Sequence, residues 1–169
     1  MPTIGVAIAV PDPYGAELRC RRAGFGDPMA ETVPSHVTLL PPTEVEESDF
    51  DEVHRRLEEA AAEHTRFTMR LRGTGTFRPV SPVVFVAVSE GISNTEILAK
   101  SVRAGLLRGE LAFPYHPHVT VAHHLDDETL DRAFERLADY ECAFLVESFA
   151  LYLHDEGAGW KPHREFELS

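Results

Sequence analysis

The tetrapeptide "HVTV" at residues 118–121 lies within "YHPHVTVAHH" (115–124), a stretch that holds four of the nine histidines of the chain. Its first three residues, His-Val-Thr, also occur in "SHVTLL" at residues 35–40. Alternate side chains of a β-strand point to the same face, so each copy presents an imidazole and a hydroxyl on one face and apolar residues on the other. The repeated tripeptide therefore predicts two matching strands.

The segments around the two copies follow the same order. In each half, an apolar strand (residues 3–10 or 83–89) precedes a helix, the His-Val-Thr strand, an amphipathic helix with an acidic first turn and a further strand. The motif histidine follows the start of the first strand by 33 residues in one half (36 − 3) and by 35 in the other (118 − 83). We expect one domain over residues 1–169 with interleaved lobes, a pseudo-repeat of about 1–76 and 77–169 and a Pro/Gly-rich seam at 72–82.

Proline, glycine and capping patterns predict several element boundaries. Pro41 and Pro42 predict the end of the second strand, because proline donates no backbone hydrogen bond. Residues 94–107 predict a helix capped by Ser93 or Asn94. Residues 143–154 predict one long strand, and "REFEL" (164–168) predicts the last strand, after a turn containing Gly157 and Gly159.

The bulk composition limits the classes of partner. A net charge of −12 argues against a DNA duplex or long RNA as ligand, because surfaces that follow nucleic-acid phosphates are usually basic. Two cysteines cannot form a disulfide framework, and the apolar opening "MPTIGVAIAV" is too short for a membrane span. We therefore expect a cytoplasmic protein that does not enter a membrane and acts as a monomer.

The two motifs together predict acid–base chemistry on a phosphate. Imidazole takes or gives a proton near neutral pH, and a hydroxyl donates hydrogen bonds to phosphate oxygens. Two such strands that meet in one cleft supply one general base, one general acid and two phosphate anchors. This set can split or form a phosphodiester without a metal or other cofactor. In the simplest alternative, the threonines are ordinary strand formers and the histidines ordinary half-buried residues.

Several other residues are weaker candidates for the site. His116 shares a face with His118 by strand parity, although Pro117 can disturb the strand. A zinc site built on His116, His118 and either His123 or His124 needs three converging ligands, and His123 and His124 point to opposite faces if the chain is extended. The candidates for contact with a nucleotide are three aromatic residues and one arginine: Tyr115, Phe113, Phe77 and Arg78.

The motifs resemble those of the 2H phosphoesterase superfamily, which includes bacterial 2′-5′ RNA ligase-like proteins and cyclic phosphodiesterases. "HVTL" (36–39) and "HVTV" (118–121) match its two His-x-(Thr/Ser)-x tetrapeptides, and "FPYHP" (113–117) is similar to the usual lead-in to the second. The resemblance implies a bilobal α+β fold, with two facing antiparallel sheets and outer helices. It also implies that His36 and His118 are the acid–base pair and that Thr38 and Thr120 hold the phosphate.

The resemblance further implies a class of substrate. Family substrates include 2′,3′-cyclic phosphates, 2′-5′-linked oligonucleotides and RNA ends, so a phosphodiesterase with a possible reverse ligase activity is expected. Many relatives carry arginine two residues after the second motif, where this chain has His123. A phosphate contact at His123 would therefore be weaker or pH-dependent. The alternatives are a non-catalytic module that binds nucleotides or RNA ends, and a structural protein that uses its acidic helices.

Overall fold

The computed structural model describes residues 1–109, 111 and 114–169, and within them eight strands and four α-helices. The strands are β1 (Thr3–Ala9), β2 (His36–Glu44), β3 (Phe67–Thr76), β4 (Val83–Glu90), β5 (His118–His123), β6 (Glu141–Val146), β7 (Ser148–Asp155) and β8 (Gly159–Glu167). The helices are α1 (Tyr14–Gly24), α2 (Phe50–Glu63), α3 (Ile92–Val102) and α4 (Asp127–Arg136). Across these described ranges, no helix combines the length and apolar character needed to cross a membrane.

The strands form two antiparallel sheets of four, with the helices on the outside. The first sheet has the order β2-β1-β7-β8 and the second β5-β4-β3-β6. α2, for example, buries an apolar stripe of Val53, Leu57, Ala60 and Ala61. This confirms the predicted α+β fold of two facing antiparallel sheets.

The two halves of the chain exchange elements between the sheets. β3, from the first half, lies beside β4 in the second sheet, whereas β7 lies beside β1 in the first. The helices exchange as well, since α1 packs against β5 and α3 against β2. The predicted seam at residues 72–82 therefore lies in a hairpin within one sheet. Each motif strand is supported by a helix from the other half.

Both motif strands carry a β-bulge at the same place. In the first sheet, Ala7 pairs with Thr38 and Val6 with Leu40, so one motif residue has no direct partner. In the second sheet, Thr120 and Ala122 pair with consecutive residues of β4, and again one residue is passed over. The extra residue shifts the alternation of faces, so that the next half-buried position after Thr120 is His123. The equal bulges support the proposal that residues 1–76 and 77–169 are two copies of one unit.

Four predicted boundaries are wrong. The last strand begins before "REFEL", because Gly159 already pairs with Asp155 of β7 and is the first residue of β8 instead of part of the turn. β2 continues through Pro41 and Pro42 to Glu44, because β2 is an edge strand and one side of it needs no backbone donors. Residues 143–154 belong to two strands, β6 and β7, which separate at Glu147 and enter different sheets. Neither predicted residue caps α3, which follows Gly91 at φ 88° and ends at Val102, before a short 3-10 helix at Gly105–Leu107.

Candidate active site

The two motif histidines begin their strands and share one hydrogen-bonding pattern. Nδ1 of His36 lies 2.7 Å from the carbonyl oxygen of Pro34, and Nδ1 of His118 lies 2.6 Å from that of His116. A carbonyl oxygen can only accept, so Nδ1 carries the hydrogen and donates it in both cases. Nε2 of each ring has no hydrogen-bond partner among the described residues and is available to a ligand.

The two motif strands lie next to each other. β2 and β5 are in contact although they belong to different sheets. The Tyr115 hydroxyl, just before β5, donates a hydrogen bond of 2.6 Å to the carbonyl oxygen of Thr38 in β2. The charge of His36 also lowers the pKa of His118, so the two rings are close enough to interact electrostatically.

Both catalytic candidates have lowered pKa values. Burial is the largest cause at each ring, because the charged imidazolium loses hydration. The bond to Pro34 raises the pKa of His36 and the charge of Arg22 lowers it, whereas His116 and His36 both lower the pKa of His118 by their charges. The site therefore disfavours two charged imidazoles and favours at least one neutral ring near pH 7.

The motif threonines present free hydroxyls on the same half-buried faces. Thr38 and Thr120 each stand two residues after a motif histidine and are partly exposed. Over the ranges that the structure describes, neither hydroxyl makes a hydrogen bond to another residue. Each is therefore able to donate to a ligand oxygen that lies between the histidines.

An apolar pocket adjoins His36 and Thr38. Trp160 of β8 and Tyr152 of β7 form one wall of it. A Cβ atom on Gly5 would lie 3.3 Å from the Trp160 ring, so glycine in β1 lets the indole approach the sheet closely. Neither Trp160 nor Tyr152 was singled out from the sequence, and the one available signal was that Trp160 is the only tryptophan.

Aromatic rings pack around His118. The His118 ring centroid lies 4.9 Å from that of Phe77, edge to face, and 5.1 Å from that of Phe85. The ring of His116 lies 5.2 Å from Phe85 and 5.8 Å from Phe77. Phe77, a candidate for stacking on a base, is thus one of the residues that hold the His118 ring in place.

The remaining candidates already have partners in the protein. Tyr115 uses its hydroxyl on Thr38, and the Arg103 guanidinium lies 5.1 Å from its ring centre. Nη1 of Arg78 lies 2.9 Å from Asp131 on α4, which directs the guanidinium toward that helix. Phe113 lies outside the described residues.

His123 closes β5 and faces the first half of the chain. Its backbone N–H donates to Oδ2 of Asp27 at 3.1 Å. Its ring stacks on that of His124 at 3.7 Å. The opposite orientation expected for an extended chain does not apply, because His124 has a φ of 56° and is not extended. Burial, His124 and Arg22 lower the pKa of His123. In the part of the chain that the structure describes, no three possible ligands are grouped for a metal ion.

Solved structures share the fold over nearly the whole chain. The protein TT0787 of Thermus thermophilus superposes with a TM-score of 0.73 at 23% identity, covering 99% of this chain and 98% of that one. LigT of Escherichia coli, crystallised with 3′-AMP, superposes with a TM-score of 0.71 at 19% identity, covering 100% of this chain and 99% of that one.

Sequence comparison identifies the family. A Bacillus cytotoxicus protein with the provisional name phosphoesterase is 29% identical over 146 residues, covering 84% of this chain and 83% of that protein. A Bacillus cereus protein with the same provisional name is 27% identical over 146 residues, again covering 84% of this chain and 83% of that protein. The model of the 2′-5′ RNA ligase superfamily matches residues 10–158, which is most of the chain. By fold and by sequence, the chain belongs to the 2′-5′ RNA ligase superfamily.

Proposed function

We propose that the protein is a metal-independent phosphodiesterase that hydrolyses 2′,3′-cyclic phosphates or 2′-5′-linked nucleotides and RNA ends. One observation carries the proposal: both motif histidines, on adjacent strands, bind a carbonyl through Nδ1 and leave Nε2 without a hydrogen-bond partner among the described residues. Identical orientation of two titratable rings in one cleft is what in-line acid–base catalysis requires.

In the proposed mechanism, the proton moves through the two histidines. Nε2 of the neutral histidine takes a proton from water as the water oxygen attacks phosphorus. The bond from phosphorus to a ribose oxygen breaks, and the protonated histidine gives its proton to that oxygen. Thr38 and Thr120 donate hydrogen bonds to the non-bridging oxygens as charge builds on them. With a 5′-hydroxyl in place of water, the same groups would form a bond from the 5′ oxygen to phosphorus and break the bond from phosphorus to the 3′ oxygen, which takes the proton of the protonated histidine; this is a 2′-5′ RNA ligase reaction.

Three observations support a nucleotide as substrate. The apolar pocket beside His36 offers the Trp160 indole, and aromatic rings stack on any nucleobase. The similar LigT of Escherichia coli has been crystallised with 3′-AMP, with ATP and with NADP⁺. The net charge of −12 favours a small nucleotide or an RNA end over long RNA. We propose that this activity is that of a monomer in the cytoplasm, where it would act in RNA processing.

The test is an assay on 2′,3′-cyclic nucleotides and 2′-5′ dinucleotides with EDTA present, followed by ³¹P NMR. We expect turnover to a phosphomonoester that persists in EDTA and is lost in the double variant His36→Ala/His118→Ala. Activity that requires added metal, or that survives in the double variant, would contradict the mechanism. Binding of these nucleotides without turnover would instead support the alternative, a non-catalytic nucleotide or RNA-end binding module.

A further inference from the structure

Arg22 is a buried arginine that the motifs do not include. It lies in the last turn of α1 and is only 7% exposed. Its Nε donates to Oδ2 of Asp27 at 2.7 Å. Asp27 is 2% exposed and also accepts the backbone N–H groups of Met29, at 3.0 Å, and of His123, at 3.1 Å. The carboxylate therefore fixes the guanidinium at the end of β5.

The outer edge of the Arg22 guanidinium, formed by its two Nη atoms, has no hydrogen-bond partner among the described residues. Among residues 1–109, 111 and 114–169, neither Nη atom donates to any acceptor. Both Nη atoms nevertheless keep some contact with solvent. Burying a guanidinium is costly unless its donors are satisfied, so such an edge is unusual in a structural ion pair. An anion can bind this edge through two parallel hydrogen bonds.

The surroundings of Arg22 place its guanidinium beside β5, because Asp27 binds both Arg22 and the backbone of His123. α1 packs against β5, the strand that carries His118 and Thr120. The positive charge of Arg22 lowers the pKa of His36 in one motif and of His123 at the end of the other. The guanidinium thus lies within electrostatic reach of both halves of the site. It provides a permanent charge, whereas His123 at the end of β5 provides only a titratable one.

We propose that Arg22, oriented by Asp27, donates hydrogen bonds from both Nη atoms to the non-bridging oxygens of the substrate phosphate. The proposal rests on the proposed function, because it assigns a phosphate to the cleft between His36 and His118. It makes the Arg22–Asp27 pair part of phosphate recognition and gives the cleft a fixed positive charge in an acidic protein.

The test compares three variants in phosphate binding and in turnover. Arg22→Met/Asp27→Asn removes both charges together, so that no unpaired carboxylate is buried. Arg22→Lys keeps the charge but loses the two-donor edge. Arg21→Met, at an exposed position on the same helix, is the matched control for loss of one positive charge. Inorganic phosphate is titrated and followed by the NMR signals of the histidine rings, and kcat/KM is measured on a 2′,3′-cyclic nucleotide.

We expect the double variant to raise the Kd for phosphate and to lower kcat/KM, each by roughly tenfold to a hundredfold, as for loss of a charge-assisted hydrogen bond. Arg22→Lys should fall between this variant and the wild type, and Arg21→Met should match the wild type. Equal weakening by Arg21→Met would assign the effect to long-range charge and overturn the proposal. If the double variant does not fold, Arg22→Lys decides: an unchanged Kd overturns the proposal and a raised Kd supports it.

The two proposals fail in different ways. If the wild type turns over substrate and the double variant has Kd and kcat/KM values within twofold of the wild-type values, Arg22 does not contact the phosphate. The proposed phosphodiesterase activity is then still supported. If phosphate binding depends on Arg22 but no substrate is turned over, the proposal that Arg22 binds phosphate is supported and the proposed phosphodiesterase activity is overturned. If the wild type does not bind phosphate at all, the Arg22 proposal is overturned whatever the turnover.

Discussion

The half of the cleft around His36 and the half around His118 have the same backbone and different surroundings. Both have the Nδ1 bond to a carbonyl two residues earlier and the bulge after the threonine. They differ at the residue paired with that threonine, which is Ala7 opposite Thr38 and Phe85 opposite Thr120. The small side chain leaves a pocket, and the large one fills the same space with a ring.

This difference indicates a division of labour between two similar strands. Around His118, Phe77 and Phe85 restrict the imidazole, which favours accurate proton transfer. Around His36, Trp160 lines an apolar pocket, which we propose receives the nucleoside, and the charge of Arg22 lowers the pKa of this histidine. Acid–base chemistry is thus expected from both halves, and most of the binding of the base from one.

The largest expected effect tests what the halves share. His36→Ala and His118→Ala should each lower kcat/KM on a 2′,3′-cyclic nucleotide by roughly 100- to 10,000-fold, because the reaction needs one base and one acid. His64→Ala, in a histidine outside both motif strands, should have no effect. If either motif variant kept more than a tenth of the activity, the two halves would not be chemical partners.

The next largest effect is expected at aromatic residues that differ between the two halves, Trp160 beside His36 and Phe77 beside His118. Trp160→Leu should raise KM for cyclic nucleotides by roughly one to two orders of magnitude, because a stacking surface is lost. It should leave glycerol 1,2-cyclic phosphate, which has no base, unaffected. Phe77→Leu should mainly lower kcat, because it loosens the His118 ring. Steady-state kinetics on both substrates separate these outcomes, and the reverse pattern would place the base beside His118.

A smaller effect concerns the phosphate anchors. Thr38→Val and Thr120→Val remove one hydroxyl each with little change in shape and should lower kcat/KM by roughly tenfold. Thr38→Ser and Thr120→Ser keep the hydroxyl and are the matched controls. Activity unchanged in both valine variants would remove the threonines from the site.

The smallest effect is a shift in pH dependence. Both histidine pKa values are lowered, so the bell-shaped profile of kcat/KM should be centred below about pH 6.5, the ordinary value for histidine. Arg22→Met/Asp27→Asn should raise the pKa of His36 more than that of His118, as measured by NMR titration of the rings. An equal shift of both pKa values would mean that Arg22 does not distinguish the halves.

The same pKa shifts predict how the stability changes with pH. A lowered pKa means that the folded protein binds fewer protons at these rings than the unfolded chain does. The free energy of unfolding should therefore decrease as the pH falls below about 6.5, down to the folded-state pKa values. Urea unfolding of the wild type and of His36→Gln at pH 7 and pH 5.5 measures this. The decrease should be smaller in the variant.

The local part of the site could be predicted from the sequence. The alternation of side chains along a strand is fixed by the backbone, so "HVTL" and "HVTV" specified which residues share a face. Amphipathic segments likewise specified the helices that became α2 and α4. The bulges could not be predicted, because an apolar residue at the bulge resembles any other strand residue.

Only the tertiary structure decided how these parts meet. No local pattern says that β3 joins the second sheet, that α1 supports β5, or that Glu147 divides one apolar run between two sheets. For that reason Trp160, 124 residues after His36, and Asp27, 96 residues before His123, were not found from the sequence. Side-chain alternation needs only neighbouring residues, whereas the pocket and the Arg22–Asp27 pair depend on contacts between distant segments. The sequence by itself determined the two reactive faces, and the fold determined what surrounds each of them.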